Sequence, residues 1–259
     1  MTQPDTAHVP LNQALDLSGK TAIVTGASRG IGAAIAERLA QAGAHVIVGF
    51  REQADAADAI VAGIEKAGGS AEARRGDVTK RVDVEALVST AGQVDVVVNN
   101  AGTYPLHGLL DMMDHDFDAV VASNLRSVHL MTQVAARVMP AGGAIVNIAS
   151  IEALAPAPMH AHYDAAKAAV VMHTRAAALE LGAKGIRVNA VSPGLIWYPE
   201  LPNLWAEGVE RYEKAAPLGR LGTGADVADA VLYLASPMAR FVTGANLVVD
   251  GGVLATPAF

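Results

Sequence analysis

The stretch that decides the fold is "TAIVTGASRGIGAAIAERLAQAGAHVIVGF" (21–50). It opens on an apolar, strand-like run (21–26). The run enters a glycine-rich turn, "TGASRGIG" (25–32). A helical pattern (32–43) follows and stops at Gly43. A second apolar strand (44–50) comes directly after. Strand, crossover helix and strand in so short a span make a βαβ unit, whose two strands run parallel. Gly26, Gly30 and Gly32 have G-x-x-x-G-x-G spacing. Glycines there permit a tight turn and a close backbone approach, so the helix N-terminus can face a pyrophosphate. The turn lacks the Lys-Ser/Thr ending of a nucleoside-triphosphate loop.

The same alternation continues outward from this unit. Helical patterns at 54–69, 83–92, roughly 114–138, around Tyr163, and 225–236 separate strand-like runs at 70–78, 94–102, 143–150, 185–194 and 245–252. Short β-branched strands alternating with helices predict an α/β fold, with a parallel sheet covered on both faces. Right-handed crossovers then make it a Rossmann-type doubly wound sheet. No linker or composition break divides the chain, so residues 17–259 read as one domain. Residues 1–16, with Pro4 and Pro10, read as a loose arm, and 195–216 as irregular or weakly helical.

Composition bounds the function. The chain has 259 residues, 52% of them hydrophobic, which is ample for a core. A net charge of −7 without a basic tract argues against nucleic-acid or anionic-membrane partners. The lack of cysteine excludes disulfides and cysteine catalysis. The first 18 residues do not resemble a secretory signal, and no apolar run is long enough for a membrane span. The expectation is a cytoplasmic protein.

The second strand ends at "VGFR" (48–51). An NAD enzyme usually has an acidic residue there for the ribose 2′-hydroxyl. Here Phe50 is followed by Arg51, and Arg29 lies within the glycine turn. Two guanidinium groups near the adenosine ribose suit a 2′-phosphate and predict NADP(H).

Further motifs follow in order: "GDV" (76–78), "NNAG" (99–102), "SNL" (123–125), "IVNIAS" (145–150), "HYDAAK" (162–167), "NAVSPG" (189–194) and "VTGANLVVDGG" (242–252). Together with the glycine turn, the chain strongly resembles the classical short-chain dehydrogenase/reductase family from about residue 17 to 252. The resemblance implies a catalytic tetrad of Asn124, Ser150, Tyr163 and Lys167. It implies cofactor contacts from Gly26, Ser28, Arg29, Gly30, Ile31, Gly32, Arg51, Asp77, Val78, Asn99, Ala101 and Gly102, and from Tyr163, Lys167, Pro193 and Gly194. Of these, Asp77 is expected near the adenine, Asn99 and Gly102 near the ribose and strand turn, and Pro193–Gly194 near the nicotinamide.

The chemistry suits these groups. Hydride transfer to a ketone builds negative charge on oxygen, which needs a proton. Tyr163 and Lys167, four apart, share one helix face. A cation there favours the phenolate and lowers the tyrosine pKa. Ser150, at the carboxyl end of the fifth strand, can stabilise the developing oxyanion. In the family the lysine also holds the nicotinamide ribose, and the asparagine anchors a proton-relaying water.

Other residues carry weaker signals. His160 and His162, two apart, precede the tyrosine without an H-E-x-x-H pattern or acidic cluster, so no metal site is expected. Both suit the substrate entrance, or a loop or helix-cap role. Glu152 could receive an amine or polyol, or be a solvated loop carboxylate, and His107 is similar. Trp197, Tyr198 and Trp205 concentrate aromatic rings in 195–216, where the family varies its substrate lid. They suit either a pocket wall or packing. The family often has Thr where Tyr198 stands, which puts that nicotinamide contact in doubt.

The function expected is NADPH-dependent reversible ketone/alcohol interconversion on a small molecule. A 3-oxoacyl-thioester reductase is one specific alternative, and a non-catalytic dinucleotide sensor is the rival from another class. The apolar ending "NLVVDGGVLATPAF" (246–259) and the resemblance point to a homotetramer or homodimer.

Overall fold

The computed structural model describes residues 8–255. Pro4, in the expected arm, and the last four residues of the apolar ending lie outside them. In chain order the elements are β1 (Thr21–Val24), α1 (Gly30–Gln41), β2 (His45–Phe50), α2 (Ala54–Lys66), β3 (Ser70–Arg75), α3 (Arg81–Thr90) and β4 (Val96–Asn99). Then come α4 (Asp114–Val121), α5 (Ser127–Val138), β5 (Ala144–Ile148), α6 (Ala161–Leu181) and β6 (Arg187–Pro193). The chain closes with α7 (Leu201–Leu204), α8 (Ala206–Ala215), α9 (Gly224–Ala235) and β7 (Asn246–Val249).

The strands form one seven-stranded sheet in the order β3-β2-β1-β4-β5-β6-β7. Every pairing is parallel. Winding runs outward from β1 to β3 and then reverses through β4, so this is the doubly wound Rossmann-type sheet. The strands are apolar on both faces because both are covered. Ala22, Val24, Val46, Val48, Val96 and Val98 join residues of α1, α2 and α9 in one core cluster. Their alternates Ile23, Ile47, Val97 and Ile145 join α3 and α5 on the other side. Arg187 at the start of β6 donates to the carbonyls of Leu234, Ala235 and Ser236, satisfying the C-terminal end of α9.

Two segments differ from the sequence pattern. The helix expected over 114–138 is interrupted by a π turn, Ala122–Arg126, between α4 and α5. The extra residue in that turn rotates Asn124 into the interior, where it is fully buried. The third strand ends at Arg75 because Asp77 accepts from the N–H and hydroxyl of Thr79, which turns the chain towards α3. Before β1, residues 11–13 form a single 3₁₀ turn. Ala14 and Leu17 are buried behind it, and Met238 N–H donates to the Ala14 carbonyl. Among the described residues no helix is long and apolar enough to cross a membrane.

Candidate active site

In an open doubly wound sheet, ligands gather where the strand order reverses, outside the carboxyl ends of the strands. Here that point lies between β1 and β4. The glycine turn after β1 and the "NNAG" turn after β4 meet there. The Thr25 hydroxyl donates to the Val98 carbonyl and accepts from the N–H groups of Asn100 and Ala101. The Asn100 amide donates to the carbonyls of Thr25 and Gly26 at 2.9 and 3.0 Å.

The glycines leave a backbone cradle. A Cβ on Gly32 would lie 2.4 Å from the Gly26 carbonyl oxygen, and one on Gly26 would lie 3.0 Å from Ala101 Cα. Gly30 has a φ of +57° and open space where a side chain would project. Arg29 precedes α1 without a capping side-chain hydrogen bond, so the first N–H groups of α1 lack a side-chain acceptor. Those groups fit a dinucleotide pyrophosphate. Ser28 faces Gln53 at 3.4 Å, while Ile31 packs on the core.

Beyond β2 and β3, Arg51, Arg75, Lys80 and Asp77 line a polar hollow. Arg75 Nε donates to the Arg51 carbonyl. Burial pushes the Asp77 carboxyl up, but donors from Thr79 and the charges of Lys80 and Arg51 hold it below its ordinary value. Arg29 does not line this hollow. Val78 packs on the core cluster beneath it. Asn99 turns its side chain into the sheet, donating to Asn147 at 2.8 Å and Thr132 at 3.4 Å. The contact with the glycine turn is made by its neighbour Asn100.

The four residues implied as the tetrad come from three places in the fold. Ser150 follows β5, and its hydroxyl accepts from the Glu152 N–H at 3.1 Å. Tyr163 and Lys167 project from the first turns of α6. Lys167 Nζ lies 5.5 Å from the Tyr163 ring centroid and donates to the Ile148 carbonyl at 2.8 Å. Asn124 donates to the carbonyls of Thr103 and Val120, while its Oδ1 is buried without a partner. Gly102 brings the groups together. A Cβ there would lie 2.4 Å from Asn124 Oδ1 and 3.8 Å from Lys167 Nζ. At the end of β6, a Cβ on Gly194 would lie 1.8 Å from the Tyr212 hydroxyl. Pro193 and Gly194 therefore also lie in a close-packed turn without room for a further side chain.

The electrostatics correct one expectation. The sequence spacing predicts that Lys167 lowers the Tyr163 pKa. In the structure burial raises it, and Glu152, Tyr104 and Asp164 add to the rise, while the Ser150 side chain pulls the other way. Lys167 does not set the direction. Its own burial lowers its pKa from 10.5 to about 8, and its ammonium is directed at a backbone carbonyl.

Beside Tyr163, Glu152 pairs with His160 Nδ1 at 2.7 Å. Glu152, His160 and Asp164 place three possible metal-ligand atoms within 4.8 Å of one another, a cluster the linear pattern did not reveal. Burial and Asp164 push the Glu152 carboxyl up against the pull of His160. His162, for which the sequence left open the entrance or a loop or helix-cap role, is fully buried. Its Nδ1 accepts from the Tyr163 N–H, the helix-cap alternative. Tyr104 lies 6.1 Å from Tyr163 between ring centroids. Burial and the charge of nearby Tyr198 both raise the Tyr104 pKa. Trp205 packs over Gly208 and under the Arg211 guanidinium, within its own segment. Trp197 is half exposed.

Sequence reasoning missed Thr25, Asn100, Arg75, Tyr104 and Asp164. Thr25 and Asn100 stood inside quoted motifs, and Tyr104 two residues after one. Asp164 stood inside the quoted "HYDAAK" and Arg75 directly before "GDV", but neither was singled out.

A parallel sheet with a backbone cradle at its switch point, and a Tyr–Lys–Ser–Asn cluster beside it, defines a Rossmann-type dinucleotide-binding architecture. Residues 26–254 match the family model described as Enoyl-(Acyl carrier protein) reductase. An L-rhamnose 1-dehydrogenase (NAD(P)(+)) from Azotobacter vinelandii is 43% identical over 92% of this chain and 97% of that protein. A 3-oxoacyl-[acyl-carrier-protein] reductase from a Synechocystis species is 40% identical over 92% and 98%. A solved structure of a putative 2-deoxy-D-gluconate 3-dehydrogenase from Agrobacterium tumefaciens, with bound NADP, has a TM-score of 0.86 at 36% identity. It covers 94% of this chain and 99% of that one. The chain belongs to the classical short-chain dehydrogenase/reductase family of oxidoreductases.

Proposed function

We propose that this protein is an NADPH-dependent carbonyl reductase of the short-chain type, interconverting a ketone and a secondary alcohol. The observation that carries the reading is the convergence of Gly102, Asn124 and Lys167, with Tyr163 and Ser150 beside them. The cofactor supplies the hydride when bound. Ser150 holds the carbonyl oxygen of the substrate. Tyr163, kept protonated by burial, gives that oxygen its proton. Lys167 holds the nicotinamide ribose. Titrating near 8, it exchanges a proton readily at neutral pH and can restore the one Tyr163 gives up. The free Oδ1 of Asn124 accepts the water that connects this chain to solvent.

Arg51, Arg75 and Lys80 support NADPH as cations for a 2′-phosphate, in a hollow that the carboxylates of Glu52, Asp77 and Asp83 also line. The NADP bound by the similar Agrobacterium protein points the same way. The substrate is a small cyclic or hydroxylated ketone. The Glu152 carboxylate, fixed by His160 two residues from Ser150, accepts hydrogen bonds from hydroxyls, which the chain of an acyl thioester lacks. Residues 17–259 act as one domain, with 195–216 as the substrate lid. Exposed Leu109, Leu110, Met172 and Phe241 support a homotetramer or homodimer.

The test is oxidation of NADPH and NADH by the purified protein against a panel of sugar-derived, cyclic and 3-oxoacyl ketones. A higher kcat/KM with NADPH on a cyclic or hydroxylated ketone is expected. Binding of NADPH without turnover on any ketone would indicate the sensor instead, and better use of NADH would overturn the cofactor assignment.

A further inference from the structure

His162 immediately precedes Tyr163 in the first turn of α6 and is 0% exposed. Both of its ring nitrogens have partners, and the partners dictate where the protons lie. Nδ1 is 2.9 Å from the Tyr163 backbone N–H, which can only donate. Nδ1 therefore accepts, and the neutral ring carries its proton on Nε2. Nε2 is 3.1 Å from His107 Nδ1. That atom must accept in turn, so His107 carries its proton on Nε2. This second proton faces the Asp116 carboxylate at 3.7 Å, which His115 also approaches at 3.4 Å. Each link fixes the direction of the next. The chain runs from Tyr163 N–H to His162, on to His107, and towards Asp116.

The two rings meet edge-on, with centroids 5.3 Å apart. A backbone bond reinforces them, from His107 N–H to the Met159 carbonyl at 2.9 Å. Met159 has a φ of 66°, a left-handed conformation unusual for a residue with a side chain. Tyr163 N–H is one of the N–H groups that a helix leaves unpaired in its first turn. With an apolar residue at 162, it would lack that acceptor beside the candidate proton donor. On the other side of the pair, His107 shares its loop with Tyr104, which faces the Tyr163 ring.

We propose that His162 and His107 are a positioning pair. They hold the 103–116 segment and the first turn of α6 as one unit, so that Tyr104 and Tyr163 face each other at a fixed separation across the substrate mouth. The catalytic consequence rests on reading Tyr163 as the proton donor, whereas the pairing itself does not.

Two measurements on the full chain test it. A long-range proton–nitrogen NMR spectrum of the imidazoles should show His162 as the Nε2–H tautomer at neutral pH. An Nδ1–H tautomer would overturn the proposal. The second compares His107→Leu with His107→Asn, whose side-chain oxygen still offers His162 an acceptor. His107→Leu should speed exchange of the Tyr163 amide proton and lower kcat/KM about tenfold, the scale of one orphaned buried donor, with NADPH affinity unchanged. His107→Asn should recover most of both. Wild-type exchange in His107→Leu, or no recovery in His107→Asn, would also overturn it. If no ketone is reduced even by the wild type, the proposed function fails, while tautomer and amide exchange still decide the pairing.

Discussion

Replacing Lys167 with methionine is expected to stabilise the protein while abolishing the proposed ketone reduction. Lys167 is 4% exposed, and burial lowers its pKa from 10.5 to about 8. At 1.36 kcal/mol per pKa unit, that gap means the buried ammonium costs about 3 kcal/mol of folding stability while it is charged. Methionine keeps the length of the stem and removes the charge. It also loses the hydrogen bond to the Ile148 carbonyl, worth about 1–2 kcal/mol. The net expectation near pH 7 is a gain of about 1–2 kcal/mol. The sign follows from the lowered pKa. Below about 8 the lysine is charged in both the folded and unfolded chains, and the full penalty is present. Between about 8 and 10.5 the folded chain loses its proton first, and the penalty fades. Above 10.5 both forms are neutral, and the mutant's advantage disappears or reverses. Urea denaturation of both proteins at equal concentration, from pH 7 to 11, reads this directly. A mutant less stable than the wild type at pH 7, or a gain independent of pH, would refute the reasoning. The expected result is a trade of stability for function at one side chain.

Tyr163→Phe removes the proposed proton donor and should lower kcat by about 10²–10⁴, with NADPH affinity measured by fluorescence titration nearly unchanged. Gly32→Ala places a Cβ 2.4 Å from the Gly26 carbonyl oxygen and 3.0 Å from Ala27 Cα. Because both neighbours are backbone, the turn must open. Loss of dinucleotide binding by calorimetry and about 1–3 kcal/mol of destabilisation are expected. Arg51→Glu and Arg75→Glu should each lower the ratio of kcat/KM for NADPH over NADH, and an unchanged ratio in both would remove the hollow from cofactor selection. Asp226 closes a capping box with Thr223 and pairs with Arg220, which holds its carboxyl far below the usual carboxylate range. Asp226→Asn should cost about 1 kcal/mol at neutral pH by urea denaturation. That deficit should narrow as the pH falls below the ordinary value of 3.8, where the carboxylate of the unfolded chain takes up its proton while the folded one stays ionised.

The strand-turn-helix pattern around Gly26, Gly30 and Gly32 was legible because backbone sterics and apolar periodicity act locally. Ser150 and Tyr163 were recognisable from their motifs. The π turn at Asn124 was not, because 114–138 keeps a continuous helical pattern and only the inward rotation of one amide distinguishes it. Within "NNAG" the sequence did not reveal which asparagine faces the sheet and which the glycine turn, since strand alternation decides that at the end of β4. Glu152, His160 and Asp164 form one cluster because the turn after β5 folds back on the start of α6.

By itself, then, the sequence determined the alternation of strands and helices, the parallel doubly wound sheet, the glycine cradle and the shared helix face of Tyr163 and Lys167. These follow from short-range periodicity and from residue types with special backbone freedom. Tertiary structure alone decided the charge states and directions at the site: the raised Tyr163, the lowered Lys167, and the one-way chain through His162 and His107. The physical reason is that burial and hydrogen-bond partners are contributed by several elements at once. A tyrosine and a lysine four apart on an isolated helix lack the β5 carbonyl, the buried surroundings and the neighbouring carboxylates that set their pKa values here.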